Sequence, residues 1–179
     1  MPRRLLEIYE DIATRTTATQ REHGYWPCKK GCSNCCERLS REPDLTKAEW
    51  DHLRAGIEKL DPSTRVNVEE AIRQLTRTKA SGHVICPLLE RAQGVCLVYE
   101  HRPAACRTYG FFARREDILG CQLVVEATRD QEGVVWGNHE RIEHDLGELA
   151  GASRPLTEWW VESQSAGQPG SVDTTTSST

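Results

Sequence analysis

Eight cysteines are the residues of this chain best suited to chemistry, and four of them fall in one short string, Cys28-Lys-Lys-Gly-Cys32-Ser-Asn-Cys35-Cys36. The others follow as Cys86, Cys96, Cys106 and Cys121. Thiols in such number pair as disulfides, hold a metal or cluster, or do dithiol redox chemistry. Disulfide frameworks belong mostly to short secreted domains that cannot build a core. At 179 residues this chain is long enough to bury one. Its first residues, Met-Pro-Arg-Arg-Leu-Leu-Glu-Ile-Tyr-Glu-Asp, interrupt the apolar positions with acids, unlike a signal-peptide core. No apolar run is long enough to cross a membrane. The expectation is a cytoplasmic protein whose thiols stay reduced and bind metal.

The spacing narrows the geometry without fixing the metal. On a helix, Cys28, Cys32 and Cys35 would project within about 60° of one another. Gly31, Ser33 and Asn34 favour a wrapped loop, which can also gather thiols round a centre. Cys36 is the awkward ligand. Adjacent α-carbons lie about 3.8 Å apart and adjacent side chains diverge, so Cys35 and Cys36 are expected to serve different centres, or one to stand behind the ligands. Two arrangements follow. Either two four-cysteine sites draw ligands from the early and late cysteines, or one four-thiolate iron–sulfur cluster leaves the rest structural. Ligation by the late cysteines would tie metal binding to folding. Zinc competes with iron, because it accepts four thiolates at these same short spacings.

Two other readings are weaker. Cys28-x3-Cys32-x2-Cys35 has the cluster spacing of radical S-adenosylmethionine enzymes, but helices follow it before any strand and the chain is too short for a full barrel. Cys32-Ser-Asn-Cys35 as a thioredoxin-type dithiol lacks a surrounding βαβ pattern. Lys29 and Lys30 lie between ligand candidates, where cations would stabilise a negative thiolate centre. His83 and His101 flank candidates and could support ligands from behind. His52 and His144 read as surface or packing residues.

The elements that position the cysteines are mostly helical. Leu5, Ile8, Tyr9 and Ile12 form one apolar stripe of a helix that ends near His23-Gly24. Thr46 and Glu49 make a capping box for a helix carrying Trp50, Leu53, Ile57 and Leu60, and Asp61-Pro62 ends it. A second helix runs from Ser63 to about Lys79. Val84–Leu89 and Val95–Tyr99 read as a small hairpin bearing Cys86 and Cys96 on its arms. Pro103 opens a short helix with Cys106 and Arg107. Leu123–Val125 and Val134–Trp136 read as a second hairpin. Helical segments around Ile142, Leu146 and Leu149, and over Thr157–Glu162, complete the series. The expected fold is mainly α with a small β-hairpin, an irregular α+β domain over residues 1–162 built around a cysteine-ligated metal site. Residues 163–179, rich in Gly, Ser and Thr, read as a disordered tail. Trp159-Trp160 is read as core rather than as a docking patch.

A net charge of −4 argues against a broad grip on nucleic acid. The expected partner is an unidentified protein or protein substrate, with no nucleic acid and no membrane. No phosphate loop, Ser-His-Asp set or paired carboxylate stands out, so no catalytic residue is named and enzyme activity stays open.

The cysteine string, then Cys86-Pro87-Leu88-Leu89, then Cys96-Leu-Val-Tyr99-Glu-His-Arg102-Pro103-x2-Cys106-Arg107, resembles the YkgJ family of CxxCxxCC cysteine-cluster proteins, described as zinc- or iron-chelating. Leu45-Thr46-x2-Glu49-Trp50 is similar to the helix such proteins place after the first cysteines. The resemblance covers roughly residues 24–125. The first gap here is three residues instead of two, and Gly31 lets the loop turn. It implies a metal or iron–sulfur site built from all eight cysteines, with iron–sulfur or iron as the cofactor and zinc as the alternative. Through similarity to part of the flagellin lysine methylases, it also implies a cluster-dependent modifying enzyme. Tyr99, Arg102 and Arg107 are motif residues; Arg102 and Arg107 either offset the thiolate charge or pair with Glu90, Glu100 or a helix end.

Overall fold

The computed structural model describes residues 1–77 and 82–166. Helix α1, Arg3–Glu22, buries Leu5, Ile8, Tyr9 and Ile12 along the stripe that their spacing predicts. The cysteine loop follows and contains a single helical turn, α2, Asn34–Glu37. Strand β1, Asp44–Leu45, leads into α3, Lys47–Glu58, and α4 spans Pro62–Arg77. The hairpin of β2, Leu89–Glu90, and β3, Val95–Cys96, pairs Leu89 with Cys96. A 3-10 turn at Tyr99–His101 precedes α5, Ala104–Thr108. Then come β4 (Phe112–Arg114), β5 (Asp117–Ile118), α6 (Gln122–Thr128), β6 (Gly137–Asn138), α7 (His139–Ala150), β7 (Arg154–Pro155) and α8 (Leu156–Ala166). Strand β4 lies between antiparallel β5 and parallel β6, and β1 pairs with β7. The protein is thus mainly α with small β-sheets. No helix among the described residues is long and apolar enough to cross a membrane.

Two apolar clusters organise these elements. The first gathers the α1 stripe with Trp26, Ala104, Phe111, Phe112, Val124, Ile142 and Leu146. The second gathers Leu45, Trp50, Leu53 and Ile57 with Val68, Ile72, Leu88, Val98, Leu156, Trp159 and Trp160. Trp159 and Trp160 are each 7% exposed, so they are core and not a docking patch.

A buried carboxylate joins the two clusters. Thr46 accepts from the Glu49 backbone N–H, and the Glu49 carboxylate accepts from the Thr46 N–H at 2.9 Å, completing the capping box. The same carboxylate accepts from the Ala104 N–H at 2.8 Å and from the Tyr9 hydroxyl at 3.4 Å. Glu49 therefore ties α3, whose apolar face belongs to the second cluster, to α1 and to the start of α5 in the first. Burial and the adjacent Glu49 charge push the Tyr9 phenol well above its ordinary range.

Several expectations change. Leu123–Val125 is not a strand: it lies in α6. Val124 is 1% exposed, in contact with the small residue Gly120, and Thr128 donates to the Val124 carbonyl at 2.9 Å. Burying Val124 on one helical face overrides the β-branched propensity of the run. Its supposed partner is also different: the strand beyond Trp136 is Gly137–Asn138, and it pairs in parallel with β4. The first hairpin is shorter than expected, so Cys86 stands in the turn before β2. The last helix continues through 163–166, and the remainder of the expected tail, with Lys79, lies outside the described residues.

The Glu49 junction makes a stability prediction. Glu49→Ala leaves the Ala104 and Thr46 N–H donors unpaired in a buried site, which should cost about 3 kcal/mol. Thr46→Ala should cost about 1 kcal/mol. Urea denaturation at constant metal state checks the order; equal losses would refute the bridge.

Candidate metal centre

All eight cysteines are free and half-buried, and all eight line one cavity of about 530 Å³. Two backbone ties set the early cysteine loop against the late one. Leu39 and Val84 form a β-bridge, and the Cys86 N–H donates to the Cys36 carbonyl at 2.7 Å. Cys106 is carried by α5, and Cys121 is the N-cap residue of α6.

The cavity lies where the two clusters meet. Cys28 and Cys121 pack against the first, whereas Cys86 and Cys96 pack against the second. The electrostatic neighbours divide along similar lines. Burial, then Cys35, Cys32 and Cys121, push the Cys28 thiol from 9.0 up to about 12. For Cys36 the bond with Cys35 acts downward, but Cys86, burial and Cys96 outweigh it and push the thiol up to about 12. The bond with Cys36, and then burial, raise Cys35 well above the ordinary range. Burial is the main cause that raises Cys106, with Cys36, Cys35 and Cys96 adding to it. Cys96 is raised by burial, with a smaller push from Cys35. Cys35 therefore stands at the junction of both groups.

The doublet does not diverge as expected. The Cys35 and Cys36 sulfurs are 3.9 Å apart, both within the single turn α2. Among the described residues, no three His, Cys, Asp or Glu side chains are gathered tightly enough to hold an ion. The Cys36 thiol is hydrogen-bonded to both Cys35 and Cys86, and the eight cysteines line the shared cavity. As a donor set, reduced thiols with no bridges among them fit a thiophilic metal or an iron–sulfur cluster.

Cation placement also differs from the sequence expectation. Lys29 sits over the Tyr25 ring, and Lys30 sits over Tyr99 and 3.5 Å from Glu100. Lys29 also lines the cysteine cavity, whereas Lys30 does not. Arg102 acts on the thiols directly, holding down Cys28, Cys35, Cys96 and Cys106. Arg107 has a different task. Its Nε donates to the Arg102 carbonyl at 2.7 Å and its Nη2 to the Glu100 carbonyl at 2.6 Å, bracing the segment ahead of α5. His101 stacks on His52 with ring centroids 4.7 Å apart, and His83 is exposed. Neither His83 nor His101 is bonded to a cysteine.

Three supporting residues carry no obvious sequence signal for this site. Gln20 donates to the Cys28 carbonyl at 3.1 Å. The Cys28 thiol donates to the Tyr109 carbonyl at 3.4 Å. Gly110, at φ +85°, has no room for a side chain: a Cβ there would lie 2.9 Å from both Cβ and Sγ of Cys28. A glycine directly after a short cysteine-bearing helix was the available hint.

A family model described as "CxxCxxCC: putative zinc- or iron-chelating domain" matches residues 27–132. That span runs from the start of the cysteine loop past Cys121 and contains every cysteine. No curated protein and no solved structure matches the chain.

Two predictions follow from this geometry. Gly110→Ala should lower metal content, because its methyl displaces Cys28. Gly133→Ala has a comparable φ of +78° but meets nothing within 4 Å. It should lose stability through backbone strain, about 1 kcal/mol, and keep its metal. Metal analysis of both proteins decides. The second concerns pH. Cys28 and Cys36 keep their protons up to about 12, against 9.0 ordinarily. Stability from these raised thiols is fully present below about 9 and falls as pH climbs from there toward about 12. The metal-free, reduced protein should therefore melt progressively lower above pH about 9. A melting temperature flat across that range would contradict it.

Proposed function

The chain belongs to the CxxCxxCC family of zinc- or iron-chelating domains, and from that premise we propose that it holds iron, as iron–sulfur clusters, at two four-thiolate centres facing one cavity. Cys28, Cys32, Cys35 and Cys121 form one ligand set, and Cys36, Cys86, Cys96 and Cys106 the other. The observation that carries this reading is the size of the one cavity that all eight cysteines line. Four thiolates closed on a single zinc ion would lie about 3.8 Å from one another, given zinc–sulfur bonds of about 2.3 Å. Here the eight cysteines, with other residues, line about 530 Å³ of space, and among the described residues no three donors already form a mononuclear site. Room of that kind suits a polynuclear centre. An iron–sulfur cluster supplies one-electron chemistry when bound. The chain's own residues would hold it between two apolar clusters, with the protein excluding much of the solvent. Thiols kept free for such a centre belong in a reducing cytoplasm. A redox or modifying enzyme acting on a protein substrate is the activity this arrangement suits.

One observation favours zinc. The Cys35–Cys36 separation of 3.9 Å is close to the edge of a tetrahedral thiolate site. In that reading both members of the doublet share one ion, and the domain is a structural module for protein interaction.

Anaerobic purification with metal and sulfide analysis separates the two. Brown protein with visible charge-transfer absorption and acid-labile sulfide is expected; colourless protein with stoichiometric zinc would overturn the iron reading, because a d¹⁰ ion has no such chromophore. Cys35→Ser and Cys36→Ser should each remove a different part of the metal complement. Identical, complete loss in both would favour the shared-ion arrangement.

A further inference from the structure

Half-buried arginines normally find a carboxylate. Arg102 has none within ion-pair distance among the described residues, although acids are near in sequence. Glu100 pairs with Lys30 at 3.5 Å, and Glu90 accepts from the Ala92 and Gln93 N–H groups. What Arg102 does have is a rigid mount. The residue before a proline is driven to an extended backbone, and Arg102, preceding Pro103, has φ −61° and ψ 141°. Its Nε donates to the Tyr99 carbonyl at 2.9 Å, and its guanidinium lies 3.5 Å from the Tyr99 ring centroid. Arg107 holds the Arg102 carbonyl. The side chain so fixed lines the cysteine cavity.

We propose that Arg102 is a cation shared by both thiolate groups, a positioning residue whose charge lets the two centres fill together in one cavity. This deepens the two-centre reading and rests on it. A divalent ion held by four thiolates keeps a net double negative charge, so two such centres repel each other. A fixed positive charge between them offsets part of that repulsion. The cysteines it acts on come from both ligand sets: Cys28 and Cys35 from one, Cys96 and Cys106 from the other. Guanidinium suits the place because it stays charged when half-buried and stacks on an aromatic face.

The test uses full-length protein, reduced, with cobalt(II) or zinc(II) in competition against a chelator. Both ions bind four-thiolate sets whatever the native metal proves to be, so the native metal analysis and this measurement can fail separately. Arg102→Gln keeps a donor for the Tyr99 carbonyl and loses the charge; Arg102→Lys keeps the charge and loses the planar stack. Arg102→Gln should weaken uptake of the second metal equivalent about tenfold or more, while Arg102→Lys stays within about threefold of the unmodified protein. Lys30→Gln, at an exposed cation that does not line the cavity, should change it less than threefold, roughly the scale of exposed charges. Arg102→Gln binding as tightly as the unmodified chain overturns the proposal. Equal losses in Gln and Lys also overturn it, since packing and not charge would then be at work. Should Arg102→Gln not fold, Arg102→Lys alone decides: retained binding of the second equivalent supports the proposal, and lost binding overturns it. If the unmodified chain takes up neither ion, both this inference and the two-centre reading fall.

Discussion

Eight sulfurs share one cavity, and each thiolate formed there makes the next one harder to form. Burial already disfavours ionisation, and the neighbouring cysteines add to it: Cys28 and Cys36 rise to about 12. Left alone, the Cys28 and Cys36 thiols stay protonated. Only a cation bound among the sulfurs reverses the balance, because it replaces protons on several thiols at once. The rest of the molecule can be understood as what brings mutually unfavourable groups together.

That work is done by ordinary polar and backbone contacts, which do not depend on a metal. The Glu49 carboxylate joins α3 to Tyr9 and to the first amide of α5, and α5 carries Cys106. The Leu39–Val84 bridge and the Cys86–Cys36 backbone bond set the two cysteine-bearing loops in register. Gly110, in the left-handed region, lets the chain pass directly over Cys28. These contacts act on cysteines from different parts of the sequence. Sites preorganised in this way do not have to recruit every ligand from a disordered chain when metal arrives.

Much of the scaffold was legible because its signals are periodic or capped. The α1 stripe, the Thr46–Glu49 box and Pro103 ahead of α5 all appear where residue pattern places them. Leu123–Val125 misleads because three apolar residues, two of them β-branched, match a strand as well as a helix, and only the burial of Val124 decides. The cysteines announced a site but not its internal arrangement. Adjacent side chains need not diverge when the backbone makes one isolated turn, as Cys35 and Cys36 show at 3.9 Å. The second role of Glu49 was also hidden. A capping box is local, whereas the bond to Ala104 spans 55 residues of sequence, and no local pattern records that. Arg102 carries no adjacency signal, since it lies far along the sequence from Lys29 yet lines the same cavity.

The two apolar clusters place their cysteines on facing sides, Cys28 and Cys121 on one and Cys86 and Cys96 on the other. Glu49 links the same two clusters through a charged group that is fully hydrogen-bonded. The molecule thus has two junctions between its halves, one made of carbon and oxygen and one of sulfur. The first is satisfied by the protein alone, since every partner of Glu49 is in the chain. The second is built from eight free thiols, with Arg102 beside them in the lining of the same cavity. A protein that needed only to join two clusters would have no use for the second junction, because a hydrophobic contact of the same size is more stable than a group of buried ionisable thiols. Eight cysteines in that position are best explained by what they hold, and the Glu49 junction by the need to keep them in place before it is there.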